Sequence, residues 1–226
     1  MIRILGVCGS PRRAATFYAL ETALAAAREV EGVKTTLLEL EGKKIIPCTG
    51  CNKCAGTANE GCQIHQDEMN QLYEDFFDYD GVLIATPVFS MGISGQLAAY
   101  FSRFRPDCLK QRENPDKMLF TPGAAMAVGG TSNGGQESAI TVIHGFFHSL
   151  GMIVVNGGFG IYGGAAVWSQ DKPAAGFGED IRGIGNARVM GRRLANAAAV
   201  IKKGIEPRVS VHKEPEPKIR IVRPSV

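Results

Sequence analysis

The sequence has no apolar run of membrane-spanning length, and neither sign of charge dominates it. Its 25 lysines and arginines face 22 acidic residues, a formal net charge of +3 spread along the chain. That distribution argues against nucleic acid as the main partner. Without a bilayer-length run, a membrane span is not expected either. The opening Met1–Val7 run is short and interrupted by Arg3, unlike a signal peptide. A cytoplasmic protein is therefore expected, and structural disulfides are not. Yet there are 6 cysteines. Cys8 and Cys108 stand alone and read as packing thiols, while the others crowd into one segment.

The chain is long enough to bury a core without covalent staples. Its 226 residues are 45% hydrophobic and 21% charged, ordinary globular usage. Ile2–Val7, Gly81–Thr86, Ala124–Val128 and Met152–Val155 are apolar runs of buried parallel strands, and Val33–Leu40 alternates like a fifth. Helical spacing marks Thr16–Val30, Gln66–Tyr79, Ser94–Phe104, Glu137–Leu150 and Asp180–Lys203. Gly157–Gly178 is rich in Gly and Ala and reads as a long loop. Alternating strands and helices predict a doubly wound parallel sheet of five strands in the flavodoxin-like order 2-1-3-4-5. One domain over residues 1–203 is expected, carrying a cysteine-rich loop at 47–65. A tail at 204–226, rich in Pro, is either disordered or an arm that pairs with another subunit.

Three loops follow strands one, three and four, which in this fold places them on one edge of the sheet. In Gly9–Thr16, small residues and hydroxyls let backbone N–H groups and a helix N-terminus converge on an anion, and Arg12 adds a forked donor. No Gly-Lys-Ser/Thr follows, so a monophosphate suits this loop better than a nucleoside triphosphate. Thr86–Ser94 offers apolar side chains and backbone amides to a flat ring. In Gly129–Glu137 the glycines permit close backbone approach to a ligand. The bland alternatives are a plain strand-to-helix turn, core side chains and a loose connector.

Cys48, Cys51, Cys54 and Cys62 form a C-x2-C-x2-C-x7-C pattern with Gly50, Gly56 and Gly61 interspersed. Thiolates at such compact spacing suit a [4Fe–4S] cluster, and four thiolates also suit tetrahedral zinc. His144 and His148 lie one helical turn apart, but Gly145 stands where a zinc protease carries Glu. They read as ordinary helix-face histidines.

Gly9-Ser-Pro-Arg12, Thr86-Pro-Val-Phe89, Gly95-Gln-Leu-Ala-Ala-Tyr-Phe-Ser-Arg103 and Gly134-Gly-Gln-Glu137 resemble the NADPH-dependent FMN reductase family over about residues 1–160. With the cysteine motif added, the chain is similar to the iron–sulfur flavoprotein branch. The resemblance implies an FMN phosphate held by Ser10, Arg12 and Thr16, and a flavin ring held by Pro87, Val88, Phe89, Ser90, Met91 and Gly92. Gly130, Thr131 and Gly135 would complete the pocket. Relatives carry Asn or Ser followed by Thr where this chain has Thr16–Phe17. Some cluster-less relatives keep similar cysteines followed by an acidic pair like Asp67–Glu68, so a metal-free loop is the third reading. The implied activity is electron transfer from a donor such as ferredoxin through the cluster to FMN and a small-molecule acceptor, in a homodimer or homotetramer. Catalysis then rests on the cofactors, with no acid–base side chain. The alternatives are an NAD(P)H-dependent FMN or quinone reductase without a cluster, and a non-enzymatic flavin or thiol redox sensor.

Overall fold

A computed structural model describes residues 1–56, 61–105, 116–172 and 178–204. Cys108 and the tail beyond residue 204 lie outside the described residues. Strands β1 (Ile2–Cys8), β2 (Val33–Glu39), β3 (Gly81–Pro87) and β4 (Pro122–Gly129) pair in parallel, with β1 central between β2 and β3. Cys8 stands level with Glu39 on one side and Ala85 on the other, and Ala85 is level with Met126. The carboxyl ends of β1, β3 and β4 therefore emerge together.

The order is 2-1-3-4-5 as expected, but the fifth position is filled by two pieces. Strand β5 (Ile153–Val154) pairs with Pro122 and Gly123, and β6 (Ala165–Trp168) pairs with Met126 to Gly129. Between them the chain leaves the sheet in a small excursion closed by an antiparallel bridge from Gly158 to Ile161. Reading Gly157–Gly178 as one loop missed β6. Four residues between glycines and a polar turn carry too little periodicity to stand out, and their pairing to β4 supplies what local sequence does not.

Alternate residues of each strand face opposite layers. Ile4, Leu83, Ala85, Ala124 and Met126 pack with helices α1 (Ala15–Arg28) and, at the far end of the chain, Ile181–Gly204. Leu5, Val7, Val82, Ile84, Ala125 and Ala127 pack with α2 (Met69–Phe76), α3 (Gly95–Ser102) and, after the short α4 (Asp116–Leu119), α5 (Gln136–Ser149). The closing helix Ile181–Gly204 is α6. It crosses α1 so closely that a Cβ at Gly191 would fall 1.8 Å from the Ala23 carbonyl oxygen.

Helices α2, α3 and α6 begin later than their periodicity suggests, each behind a polar side chain that caps it; for α6 this is Asp180, which accepts from the Gly183 N–H at 2.8 Å. Ser94 accepts from the Leu97 N–H at the start of α3, and Asp67 accepts from the Met69 N–H at the start of α2, 3.3 Å. Side-chain caps sit outside the helix they terminate. Among the described residues no helix is long and apolar enough to cross a membrane.

Candidate functional site

The first loop folds on Ser10, whose buried hydroxyl donates to the Arg12 carbonyl, 2.6 Å, and accepts from the Arg12 N–H, 3.2 Å. Helix α1 then starts at Ala14, an N-cap with no side-chain acceptor. The Phe17 N–H donates to the Ala14 carbonyl, 2.9 Å, which leaves the amides of Ala15 and Thr16 at the helix start to a ligand or water, as an anion site requires. Thr16 is buried in the first turn and Arg12 is exposed. Arg13 is committed elsewhere: its guanidinium lies 4.0 Å from the Phe17 ring centroid and 3.7 Å from the Glu39 carboxylate.

The second loop turns sharply. Phe89 and Gly92 exchange N–H···O bonds of 3.0 and 2.9 Å, and the two residues between them, Ser90 and Met91, have φ of 48° and 66°. Two successive non-glycine residues in the left-handed region are uncommon and strained. The turn leaves Phe89 and Met91 exposed at its tip, apolar surface of the kind a ring system covers.

The third loop is not a loose connector. Gln136 is buried, and its amide donates to Thr131 O, 2.6 Å, and Val167 O, 3.1 Å, while accepting from the Gly134 N–H, 2.8 Å. This side chain pins the glycine-rich stretch to β6. Thr131 is exposed, and Gly130 and Gly135 are half-buried. A Cβ at Gly130 would meet the Asp171 carboxylate at 2.5 Å, so Asp171 borders the same loop. The stretch Gly130-Thr-Ser-Asn-Gly134 also spells Gly-x-Ser-x-Gly. Its Ser132 is exposed, and among the described residues no histidine is bonded to it.

Two contacts join the three loops into one edge. The Ser94 hydroxyl donates to the Gly9 carbonyl, and the Ser94 N–H donates to the Thr86 hydroxyl at 3.1 Å, tying the first loop to the second. Gly135, at φ +94°, lies against Met91, where a Cβ would fall 2.7 Å from the sulfur, tying the second to the third. Ser94 and Gln136 lie within the expected loops Thr86–Ser94 and Gly129–Glu137, whereas Asp171 was not singled out. Ser94 is the one with a readable signal, a serine three residues ahead of a helical leucine.

Cys48, Cys51, Cys54 and Cys62 all line one pocket, together with His65, Arg103 and Arg105. Cys48 and Cys51 are exposed and Cys54 is buried. Backbone N–H groups point at the sulfurs, Gly50 to Cys48 at 3.3 Å and His65 to Cys62 at 3.4 Å. The Lys53 N–H, with help from the Thr49 hydroxyl, outweighs desolvation and holds the Cys51 thiol below its ordinary range. Donors aimed at sulfur favour thiolates. The donor set therefore fits a thiolate-bound metal group. Among the described residues, no three His, Cys, Asp or Glu groups stand together in metal-holding geometry. The lone Cys8 differs: burial pushes its thiol up to about 11, as befits a packing residue.

The pocket is fastened to the far end of α3. The Ser102 hydroxyl accepts from the Cys48 N–H, 3.0 Å, and Arg105 donates to Asn52, 2.5 Å. Arg103 and Asp67 form an ion pair of 2.6 Å with side chains only 1% and 5% exposed. Arg103 also donates to Ile46 O, 2.8 Å, while Asp67 accepts from Ile46 N, 2.8 Å. Burial pushes the Asp67 carboxyl up, but Arg103 and the Ile46 and Met69 N–H groups outweigh it and hold it below its usual range. The acidic pair after the cysteines is thus a clamp, with Glu68 accepting from the Lys44 N–H at 2.6 Å. Helix α3 spans the 8 residues between the two sites, about 12 Å at 1.5 Å per residue. The two histidines stay apart from both: His144 is bonded to the Gly163 backbone and pushed down by burial, and His148 is exposed.

The profile of the NADPH-dependent FMN reductase family matches residues 2–166. The chain is 38% identical over 203 residues to an iron–sulfur flavoprotein of Methanocaldococcus jannaschii, covering 89% of this chain and 98% of that one. It is 39% identical over 193 residues to an iron–sulfur flavoprotein of Archaeoglobus fulgidus, covering 85% and 95%. In fold it is similar to the WrbA-like flavodoxin of Agrobacterium tumefaciens, with a TM-score of 0.56 at 14% identity over 88% of this chain and 99% of that chain.

Proposed function

This chain belongs to the NADPH-dependent FMN reductase family and is a flavin-dependent oxidoreductase, and we propose that it works as an iron–sulfur flavoprotein. In this reading FMN sits on the three joined loops and a [4Fe–4S] cluster on Cys48, Cys51, Cys54 and Cys62. Electrons pass from a donor such as a ferredoxin to a small-molecule acceptor. When bound, the cluster supplies single-electron transfer and the flavin two-electron storage.

The chain's own residues bind and shield. The uncapped amides at the start of α1, with Arg12 and the Thr16 hydroxyl, neutralise a phosphate monoester. Pro87 to Gly92 cover a ring, with Gly130, Thr131 and Gly135 opposite them. Cys48, Cys51, Cys54 and Cys62 supply thiolates, and the N–H groups of Gly50 and His65 stabilise their charge. The observation that carries the reading is the arrangement of α3, whose Ser94 end joins the flavin loops and whose Ser102–Arg103 end fastens the cysteine pocket. Phe159 and Tyr162, 98% and 70% exposed and packed edge to face, support a homodimer or homotetramer, because exposed aromatic patches mark contact surfaces. A cytoplasmic setting suits free thiols.

The test is Cys51→Ala in protein purified without oxygen. Iron and sulfide are expected to disappear while FMN stays bound; loss of FMN as well would make the loop part of the flavin site. The lack of convergent metal-holding geometry among the described residues favours a second reading, a cluster-free NAD(P)H-dependent reductase. Rapid full reduction of wild-type flavin by NADPH alone would select it.

A further inference from the structure

We infer that Asp171 is a fourth contact of the flavin site: the turn that follows β6 holds its carboxylate against Gly130, where it accepts a hydrogen bond from an N–H or O–H of the bound flavin. The inference rests on the reading of the three joined loops as the FMN site.

Strand β6 runs parallel to β4, with Trp168 level with Gly129, so the chain leaving β6 emerges on the edge that carries the three loops. Ser169 ties it there: its N–H donates to the Gly129 carbonyl, 3.0 Å, and its hydroxyl to the same oxygen, 3.3 Å. A tight turn follows, closed by the Lys172 N–H on the Ser169 carbonyl, 2.9 Å. Its central residues, Gln170 and Asp171, have φ of 51° and 53°. Such turns are dominated by glycine, asparagine and aspartate. A glutamine at the first position is strained and persists only where its surroundings impose it. Here the Gln170 amide donates to Glu179, 2.6 Å, and the Lys172 ammonium reaches both the Gln170 amide oxygen, 2.8 Å, and Glu179, 3.4 Å. The neighbouring cation is thus committed to Glu179, and among the described residues no donor is bonded to the Asp171 carboxylate. Room for that carboxylate comes from Gly130, where a Cβ would fall 2.5 and 2.7 Å from its two oxygens. Backbone strain kept beside a ligand loop, with an acceptor left open, marks a binding residue rather than a plain turn. Phosphate is excluded as its partner, since both are anionic. The flavin's own donors are the ring N–H and the ribityl hydroxyls, and a carboxylate bonds such groups more strongly than a neutral acceptor does.

The experiment compares full-length wild type, Asp171→Gly and Asp171→Asn, each freed of flavin and titrated with FMN by fluorescence quenching, with the urea midpoint of each recorded beside it. Both replacements suit a φ of 53°, so neither strains the turn. Asp171→Gly is expected to bind FMN at least about tenfold more weakly, the loss of a charge-assisted hydrogen bond, at an unchanged or raised midpoint. Asp171→Asn keeps a neutral acceptor and is expected to fall between the two. FMN bound by Asp171→Gly as tightly as by wild type overturns the inference, and so does tighter binding, which a carboxylate that merely repels the phosphate predicts. Weaker FMN with the midpoint lowered in both variants also overturns it, as the mark of a residue that only holds the turn. If the midpoint falls in Asp171→Gly alone, Asp171→Asn decides: weaker FMN at the wild-type midpoint upholds the inference, and equal FMN overturns it. FMN methylated at the ring N–H then identifies the donor, because the gap between wild type and Asp171→Gly closes for a ring partner and persists for a ribityl hydroxyl. Wild type that binds no FMN overturns the flavin reading and the inference together. Wild type that binds FMN, with both variants unmoved, overturns the inference only.

Discussion

Ser94→Ala removes one hydroxyl and should disturb two loops at once. In the wild type that oxygen accepts from the Leu97 N–H, 3.1 Å, and donates to the Gly9 carbonyl, with Ser94 itself fully buried. Loss of the helix cap costs about 1 kcal/mol. The Gly9 carbonyl is buried too, and an orphaned buried acceptor costs roughly 1–3 kcal/mol more. The sum, about 2–4 kcal/mol, corresponds to a fall in Tm of roughly 5–15 °C for a domain of this size. Urea denaturation followed by circular dichroism measures the stability loss, and titration of FMN fluorescence measures the affinity for the flavin. FMN should bind more weakly, because the Gly9 carbonyl anchors the loop that carries Ser10 and Arg12. Ser94→Thr keeps the hydroxyl and should recover at least half of the stability. A Ser94→Ala loss below about 0.5 kcal/mol, the range of inconsequential surface changes, with FMN affinity unchanged, would refute the junction.

Arg12→Ala should raise the FMN dissociation constant by about tenfold or more, the loss of a charge-assisted hydrogen bond. Because Arg12 is exposed, its urea midpoint should barely move; equal affinity in a fluorescence titration would remove Arg12 from the phosphate site. Gly135→Ala forces a side chain into φ +94° against Met91, costing at least about 1–2 kcal/mol, and should weaken FMN retention on a desalting column while Gly145→Ala, in open space on α5, does not. Asp67→Asn should destabilise the protein by about 3–5 kcal/mol at pH 7, the cost of breaking a buried pair. Since the folded Asp67 carboxyl is held below its unfolded range, its contribution is fully present above about pH 4 and lost as pH falls through the folded value. The gap between wild type and Asp67→Asn should therefore narrow in acid, and a gap constant from pH 7 to pH 3 would show that Asp67 ionisation is not what stabilises the loop.

The sheet was legible because each central strand is a run of apolar residues stopped by a glycine or proline, and the loops that follow inherit their place from the strand order. Gly9–Thr16, Thr86–Ser94 and Gly129–Glu137 accordingly lie at the carboxyl ends of β1, β3 and β4. What escaped were pairings between distant residues. Arg103 and Asp67 are 36 positions apart, and nothing local to either announces the other. The Ser94–Gly9 bond spans 85 positions. Strand β6 escaped for the same reason, since Ala165–Trp168 becomes a strand only beside Met126–Gly129. The cysteine motif was legible as a motif, but its fastening to α3 was not, because Ser102 and Arg103 stand out only as the end of a resemblance motif on a helix, with no local sign of the loop they hold.

The central claim, a flavin site and a thiolate-held cluster on one chain, is met most directly by the stoichiometry of protein purified without oxygen. About one FMN, four iron and four acid-labile sulfide per chain are expected for a [4Fe–4S] flavoprotein. Flavin absorption with no iron and no sulfide would contradict it and leave the cysteine pocket a thiol site beside an ordinary flavin reductase.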